Sequence, residues 1–127
     1  MPTRPEGAIK SKASLLQEVL DSSGRYDAAK FARYLDWDQS DIAKFLGRDR
    51  SAVSARPTAP SFQDHLAQLA AVIREALEFV GNDSLLRAWL RTPLRALDDR
   101  SPKQLILSNQ VGLVSALLRE TEAALIM

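Results

Sequence analysis

The apolar side chains between residues 62 and 80 constrain the fold of this chain more than any other feature. They are spaced four, three, four, four and three residues apart, at Phe62, Leu66, Leu69, Ile73, Leu77 and Val80. This spacing places them on one face of a helix of about five turns. Because the stripe covers fewer than three heptads, it favours packing inside a domain over a coiled coil. A long amphipathic helix is therefore the predicted centre of the fold.

The composition favours helices throughout the chain. The 127 residues contain only five glycines, and 46% of them are apolar. Alanine and leucine are abundant, and both are strong helix formers. No alternating pattern typical of strands and no internal repeat is present. We therefore predict an all-α fold of one or two small units.

Prolines divide the chain. Pro57 and Pro60 cannot both lie inside a continuing helix, and each disfavours helical geometry at the residue before it. The first residues mix prolines, a glycine and charges without periodicity. We predict a disordered arm at 1–12, a helix-turn-helix domain at 13–57 and a helical domain at 61–127.

Capping residues mark where several helices begin. Asp27 and Asp38 can accept hydrogen bonds from the first turns of two N-terminal helices. Asn82 or Asp83 can do the same after Gly81, and Ser101 followed by proline is a strong start signal. The last helix is predicted to begin near residue 109.

Residues 39–54 have the pattern of a helix-turn-helix. Ala43 is small enough for two helices to cross closely, and Gly47 can adopt the positive φ of a tight turn. Ile42, Leu46 and Val53 would form the core between the helices. The spacing from alanine to glycine to valine resembles that of Xre-type DNA-binding domains.

This resemblance implies roles in DNA binding for several polar residues. Gln39 and Ser51 correspond to phosphate contacts, and Arg50 and Ser54 to residues that contact bases. Arg48 in the turn and Arg56 at the end of the second helix add cations. Pro57 limits that helix to fewer than two turns. Such a small module is expected to bind operator DNA as a dimer across two half-sites. The alternative is a helix-turn-helix retained only for packing.

The C-terminal third carries a second motif. Its residues, in chain order, are Trp89-Leu90, Pro93, Leu97, Pro102, Leu105 and Gly112. From about residue 85 to 127 this order resembles the toxin-binding domain of Xre/MbcA/ParS-type antitoxins. Leu94 stands where that family usually has asparagine, and Asp98-Asp99 where it usually has glycine. We expect the motif residues, Trp89 included, to form the core of the domain rather than its contact surface.

The resemblance implies a toxin as partner. The known partners of this family are toxins with a RES domain, which degrade NAD and are held inactive by the antitoxin. It further implies that the C-terminal segment covers the toxin's active site. The predicted contacts are in the apolar tail, at Glu122, Ala124, Leu125, Ile126 and Met127. The alternative is that this tail packs into the chain's own core or into a homodimer interface.

Several classes of protein are disfavoured. The chain has no cysteine and a single histidine, His65, which we expect at the surface, so we predict no metal site. No nucleophile elbow, phosphate loop or paired catalytic carboxylate is recognisable, so we predict neither an enzyme nor a cofactor. No stretch is apolar enough to span a membrane or serve as a secretion signal, which favours the cytoplasm. The net charge of +1 is uninformative about DNA.

The sequence therefore predicts the antitoxin of a type II toxin–antitoxin pair. It would bind and sterically inhibit a RES-type toxin and repress its own operon, as a homodimer or larger oligomer. Two alternatives remain open. One is a stand-alone regulator whose C-terminal domain only oligomerises, and the other is an interaction adaptor with a vestigial helix-turn-helix.

Overall fold

A computed structural model of the protein describes the backbone of residues 15–126 and the side chains of residues 15–121. The predicted arm at 1–12 lies outside the described residues. Of helix α1, the structure describes residues 15–19. The helices that follow are α2 (Ala28–Leu35), α3 (Gln39–Leu46), α4 (Arg50–Ala55), α5 (Gln63–Val80), α6 (Asp83–Arg91), α7 (Pro102–Leu107) and α8 (Val111–Ile126). Two 3-10 turns occur, at Pro60–Phe62 and Arg95–Leu97. Between residues 15 and 126 there is no strand, so the predicted all-α fold is confirmed.

Helix α5 is the centre of the C-terminal half. It packs against α6 and α8, and α7 connects that pair to α3. The stripe predicted from its spacing is buried: Leu66, Leu69 and Ile73 are fully inaccessible to solvent. One cluster of buried apolar side chains extends from Phe31 and Phe45 in the N-terminal helices through α5 into α7 and α8. The two proposed units therefore pack as neighbours over shared apolar surface.

The predicted capping residues lie at the starts of helices. Asp27 accepts a hydrogen bond from the backbone of Lys30 and begins α2, and Asn82 begins α6 in the same way. Asp38 begins α3 with a reciprocal capping box, in which Asp41 accepts from the backbone of Asp38. Since each side chain satisfies an orphan N–H of the first turn, these residues fix where the helices begin.

The last helix begins two residues later than the sequence predicted. Asn109 has a left-handed backbone, with φ of 61°, which is incompatible with a first helical turn. The N–H of Gln110 donates to the carbonyl of Leu105 at 2.8 Å and closes α7. Helix α8 can begin only after this closure, at Val111.

The loop between α6 and α7 folds back on itself. Leu94 and Arg100 form an isolated antiparallel bridge, and Asp98 and Asp99 both have left-handed backbones, with φ of 57° and 62°. Glycine adopts this conformation without strain, and aspartate is among the residues that tolerate it best. The loop therefore forms this turn with aspartate residues at the position where the resemblance led us to expect glycine.

The cap of α7 provides a test of local stability. Ser101 is buried, its Oγ accepts from the N–H of Gln104 at 3.1 Å, and the Gln104 side chain accepts from the N–H of Ser101 at 2.8 Å. We expect Ser101→Ala to lower the free energy of unfolding by about 1–2 kcal/mol, because one orphan donor loses its partner. Denaturant unfolding measures this, with Ser84→Ala, at an exposed serine of α6, as the control. Equal midpoints for the two variants would contradict the assigned cap.

Candidate DNA-binding and partner-binding surfaces

The segment predicted to be a helix-turn-helix forms two short helices, α3 and α4, joined by residues 47–49. Gly47 has φ of 68°, so the positive φ predicted for it is confirmed, and its N–H closes the end of α3. Ala43 and Val53 are buried between the helices, together with Ile42 and Leu46. Helix α4 has six residues, which confirms that it is shorter than two turns.

The predicted DNA-binding residues all lie at the surface: Gln39, Arg48, Arg50, Ser51, Ser54 and Arg56 are exposed. The structure brings two of them together, since the Ser54 hydroxyl donates to Gln39 Oε1 at 2.6 Å. This bond joins the start of α3 to the end of α4. It also leaves the amide nitrogen of Gln39 available as a donor toward an acceptor such as a phosphate oxygen.

The surface charge around α4 is positive. Residues 44–56 include four cations and one carboxylate, Asp49. Arg48, Arg50 and Arg56 form no ion pair with any described residue, and the same holds for Lys44. Sequence reasoning missed Lys44, which lines a shallow cleft with Arg48 at the turn between the helices. The available signal in the sequence was a cationic residue one turn before Gly47.

The end of α4 is attached to α2. The carbonyl of Pro57 accepts a hydrogen bond from the N–H of Ala28 at 2.9 Å. The short helix is therefore held between α2 and α3 despite its length.

A second surface feature is an apolar groove in the C-terminal half, which we call the α5–α8 groove. Its volume is about 320 Å³, and it is lined by Phe79, Trp89, Leu94, Arg95, Ala96, Leu117, Leu118 and Thr121. These residues come from the end of α5, from α6, from the loop that follows α6, and from α8. The Thr121 hydroxyl donates to the carbonyl of Leu117 at 2.9 Å, so Arg95 supplies the one charge of the lining.

Trp89 differs from the expectation of a core aromatic. It is half-buried, packs against the core, and lines the α5–α8 groove. Phe79, also in the lining, is 43% exposed. Large aromatic side chains left accessible to solvent are characteristic of sites that bind other proteins. The sequence identified Trp89 but not the surface to which it contributes.

The expectation that the other motif residues form the core of the domain holds for only some of them. Leu97, Pro102 and Leu105 are buried and shape the domain. Pro93 and Gly112 are exposed, and a side chain at Gly112 would meet no atom within 4 Å. Close packing among the described residues therefore does not require glycine at position 112.

The predicted contacts in the tail, Glu122, Ala124, Leu125, Ile126 and Met127, lie outside the described side chains. Helix α8 continues through this segment to Ile126. Before this segment, Val114 and Leu118 are buried and Val111 and Leu117 are partly buried against the core.

Polar contacts join the N-terminal helices α2 and α3 to α6 and α7. The Tyr34 hydroxyl of α2 donates to Asp83 of α6 at 2.6 Å, and Arg87 donates to the carbonyl of Tyr34 at 2.7 Å. Burial and the bond to Asp83 raise the pKa of Tyr34 above its usual value, because both disfavour the phenolate. Lys103 of α7 pairs with Asp41 of α3 at 2.9 Å.

The described residues hold no cluster of three or more side chains suited to a metal ion. His65 is exposed, as predicted, and its ring meets the edge of Phe45 with 5.9 Å between centroids. No helix among the described residues is long and apolar enough to cross a membrane.

Residues 75–121 match the family model of the antitoxin Xre/MbcA/ParS C-terminal toxin-binding domain. The resemblance noted in the sequence is therefore confirmed for this segment. No match was found among curated proteins or among solved structures.

Proposed function

We propose that this protein is the antitoxin of a type II toxin–antitoxin pair, which acts in the cytoplasm by binding and sterically inhibiting a RES-type NAD-degrading toxin. The observation that carries the proposal is the position of the α5–α8 groove. All of its lining residues, from Phe79 to Thr121, lie inside the segment that matches the toxin-binding domain. The groove is therefore built from the part of the chain whose family binds toxins.

The chemistry of the groove suits a protein partner. Phe79 and Trp89 provide aromatic area, and Leu117 and Ala96 provide a smooth apolar floor. Buried aromatic anchors surrounded by polar residues carry most of the energy in protein interfaces. Arg95 at the groove would pair with a carboxylate of the toxin and orient it. We therefore propose that an apolar segment of the toxin binds here.

The C-terminal tail is proposed as a second contact. Residues 122–127 follow Thr121, which lines the groove, directly in the chain. A toxin seated on the groove would therefore lie beside the tail. In this arrangement Leu125, Ile126 and Met127 cover the toxin's active site, and no chemistry from this chain is needed.

Autorepression is proposed for α3 and α4. The exposed, unpaired cations around α4 support contacts to DNA phosphates, and Arg50 lies where a base contact is expected. One module with so few cations binds weakly, so we propose that a homodimer or larger oligomer occupies two operator half-sites.

A genetic and biochemical test separates this proposal from a stand-alone regulator. We expect the open reading frame beside this chain's gene to encode a RES-domain protein that copurifies with this chain in fixed stoichiometry. A chain that self-associates through its exposed apolar residues and retains no such partner would overturn the proposal. That result would favour the regulator whose C-terminal domain only oligomerises.

A further inference from the structure

A polar cleft lies where α1, α2 and α6 meet. It shares no lining residue with the α5–α8 groove or with the predicted DNA-binding residues. Its volume is about 340 Å³, and it is lined by Gln17, Glu18, Lys30, Arg33, Tyr34 and Arg87. The lining side chains hold three cations and one carboxylate, so the net charge of the lining is positive.

Two of the cations are held in place by the protein. Arg87 donates through Nε to the carbonyl of Tyr34, and its guanidinium lies 5.3 Å from the centre of the Tyr34 ring. Lys30 donates through Nζ to the carbonyl of Leu20 at 2.9 Å. The terminal nitrogens of Arg87 have no partner among the described residues. They are donors fixed in advance of any ligand, which lowers the entropy lost on binding.

Within the described part of the chain, the cations of the cleft form no ion pair. No carboxylate among the described residues lies within 4.0 Å of Lys30, Arg33 or Arg87 in an ion pair. By contrast, Arg91 of α6 pairs with Asp36 at 3.6 Å.

The carboxylates near the cleft do not neutralise it. Asp83 accepts from the neutral Tyr34 hydroxyl and keeps its charge, and Glu18 lines the cleft without pairing, so the two carboxylates offset at most two of the three cations. Lys30 and Arg87 are partly buried, and partly buried cations are unfavourable unless an anion offsets them.

We propose that this cleft binds a small phosphate ester. Guanidinium groups bind phosphate oxygens through paired hydrogen bonds, and an ammonium adds a point charge. The cleft is larger than a phosphate group, so it leaves room for an attached sugar or a group of similar size beside Gln17. Since its walls come from both proposed units, an occupied cleft also holds α1 and α2 against α6.

The test is an NMR titration of the full chain with pyrophosphate, at an ionic strength kept constant with sodium chloride. We expect saturable shifts of the backbone amides of Gln17, Lys30, Arg33 and Arg87. Arg33→Gln should weaken binding by about tenfold, because one charge-assisted contact is lost. Arg33 is exposed, and it forms no ion pair with a described residue. Arg119→Gln, at an exposed arginine of α8, is the matched control.

Two results would overturn the proposal. One is shifts that do not saturate, or that Arg33→Gln and Arg119→Gln reduce equally, since that pattern indicates general screening by salt. The other is a DNA duplex that shifts the same amides while pyrophosphate does not, which would assign the cleft to the DNA backbone. Neither result depends on whether a toxin binds the groove.

Discussion

Replacing Ala96 with arginine is expected to weaken the complex with the toxin by about a hundredfold, or about 2.8 kcal/mol. Ala96 is exposed and lines the α5–α8 groove, so the variant places a long charged side chain in the proposed binding site without removing core contacts. The binding partner must then desolvate this charge or lose its contact with Trp89. Losses of this size are typical at the centre of an interface. Isothermal titration calorimetry with the purified toxin, or binding to toxin immobilised on a sensor surface, measures the affinity.

Ala67→Arg is the matched control, because Ala67 is an exposed alanine of α5 outside the groove. It should leave the affinity within about twofold of the original chain, as surface substitutions usually do. Unfolding midpoints of both variants confirm that each is folded. Full affinity in Ala96→Arg would show that the toxin binds elsewhere and would leave the tail as the proposed contact.

The combined variant Arg50→Ala and Arg56→Ala is expected to lower the affinity for operator DNA by at least about a hundredfold in ~100 mM salt. A base contact from arginine is worth about 1–3 kcal/mol, and the loss occurs in both half-sites of a dimer. Each cation lost from a phosphate should also reduce the slope of log affinity against log salt by about one. Both arginines are exposed and unpaired among the described residues, so the fold should be unchanged.

Arg119→Ala, which removes an exposed arginine of α8, should leave both the affinity and the salt slope unaltered. Operator binding by the double variant equal to that of the original chain would refute the DNA-binding surface. The packing-only interpretation of α3 and α4 would then be favoured.

Local chemistry made much of this fold predictable. Asp27, Asp38 and Ser101 satisfy backbone donors within three residues of themselves, so the sequence alone indicates where α2, α3 and α7 begin. Helix α5 was equally predictable from the sequence, because the spacing of its apolar residues decides which face is buried. The start of α8 was misplaced because the left-handed conformation of Asn109 follows from the closure of α7, which periodicity does not reveal.

The surfaces that depend on tertiary packing were harder to predict from the sequence. The groove needs Phe79 and Leu117, which are far apart in the chain, to meet beside Trp89. The sequence did contain a signal, since Phe79 is an aromatic residue outside the buried stripe of α5. The contact of Tyr34 with Asp83 spans 49 residues and has no local signature. Exposure of the predicted DNA-binding residues could be expected, but not the bond between Ser54 and Gln39.

The central claim is that this protein inhibits a RES-type toxin by covering it. The most direct measurement is NAD consumption by the purified complex, compared with that of the same toxin after this chain has been stripped away. We expect no NAD consumption by the complex and full NAD consumption by the freed toxin. Adding this chain back should restore the inhibition. Equal consumption before and after stripping would contradict it.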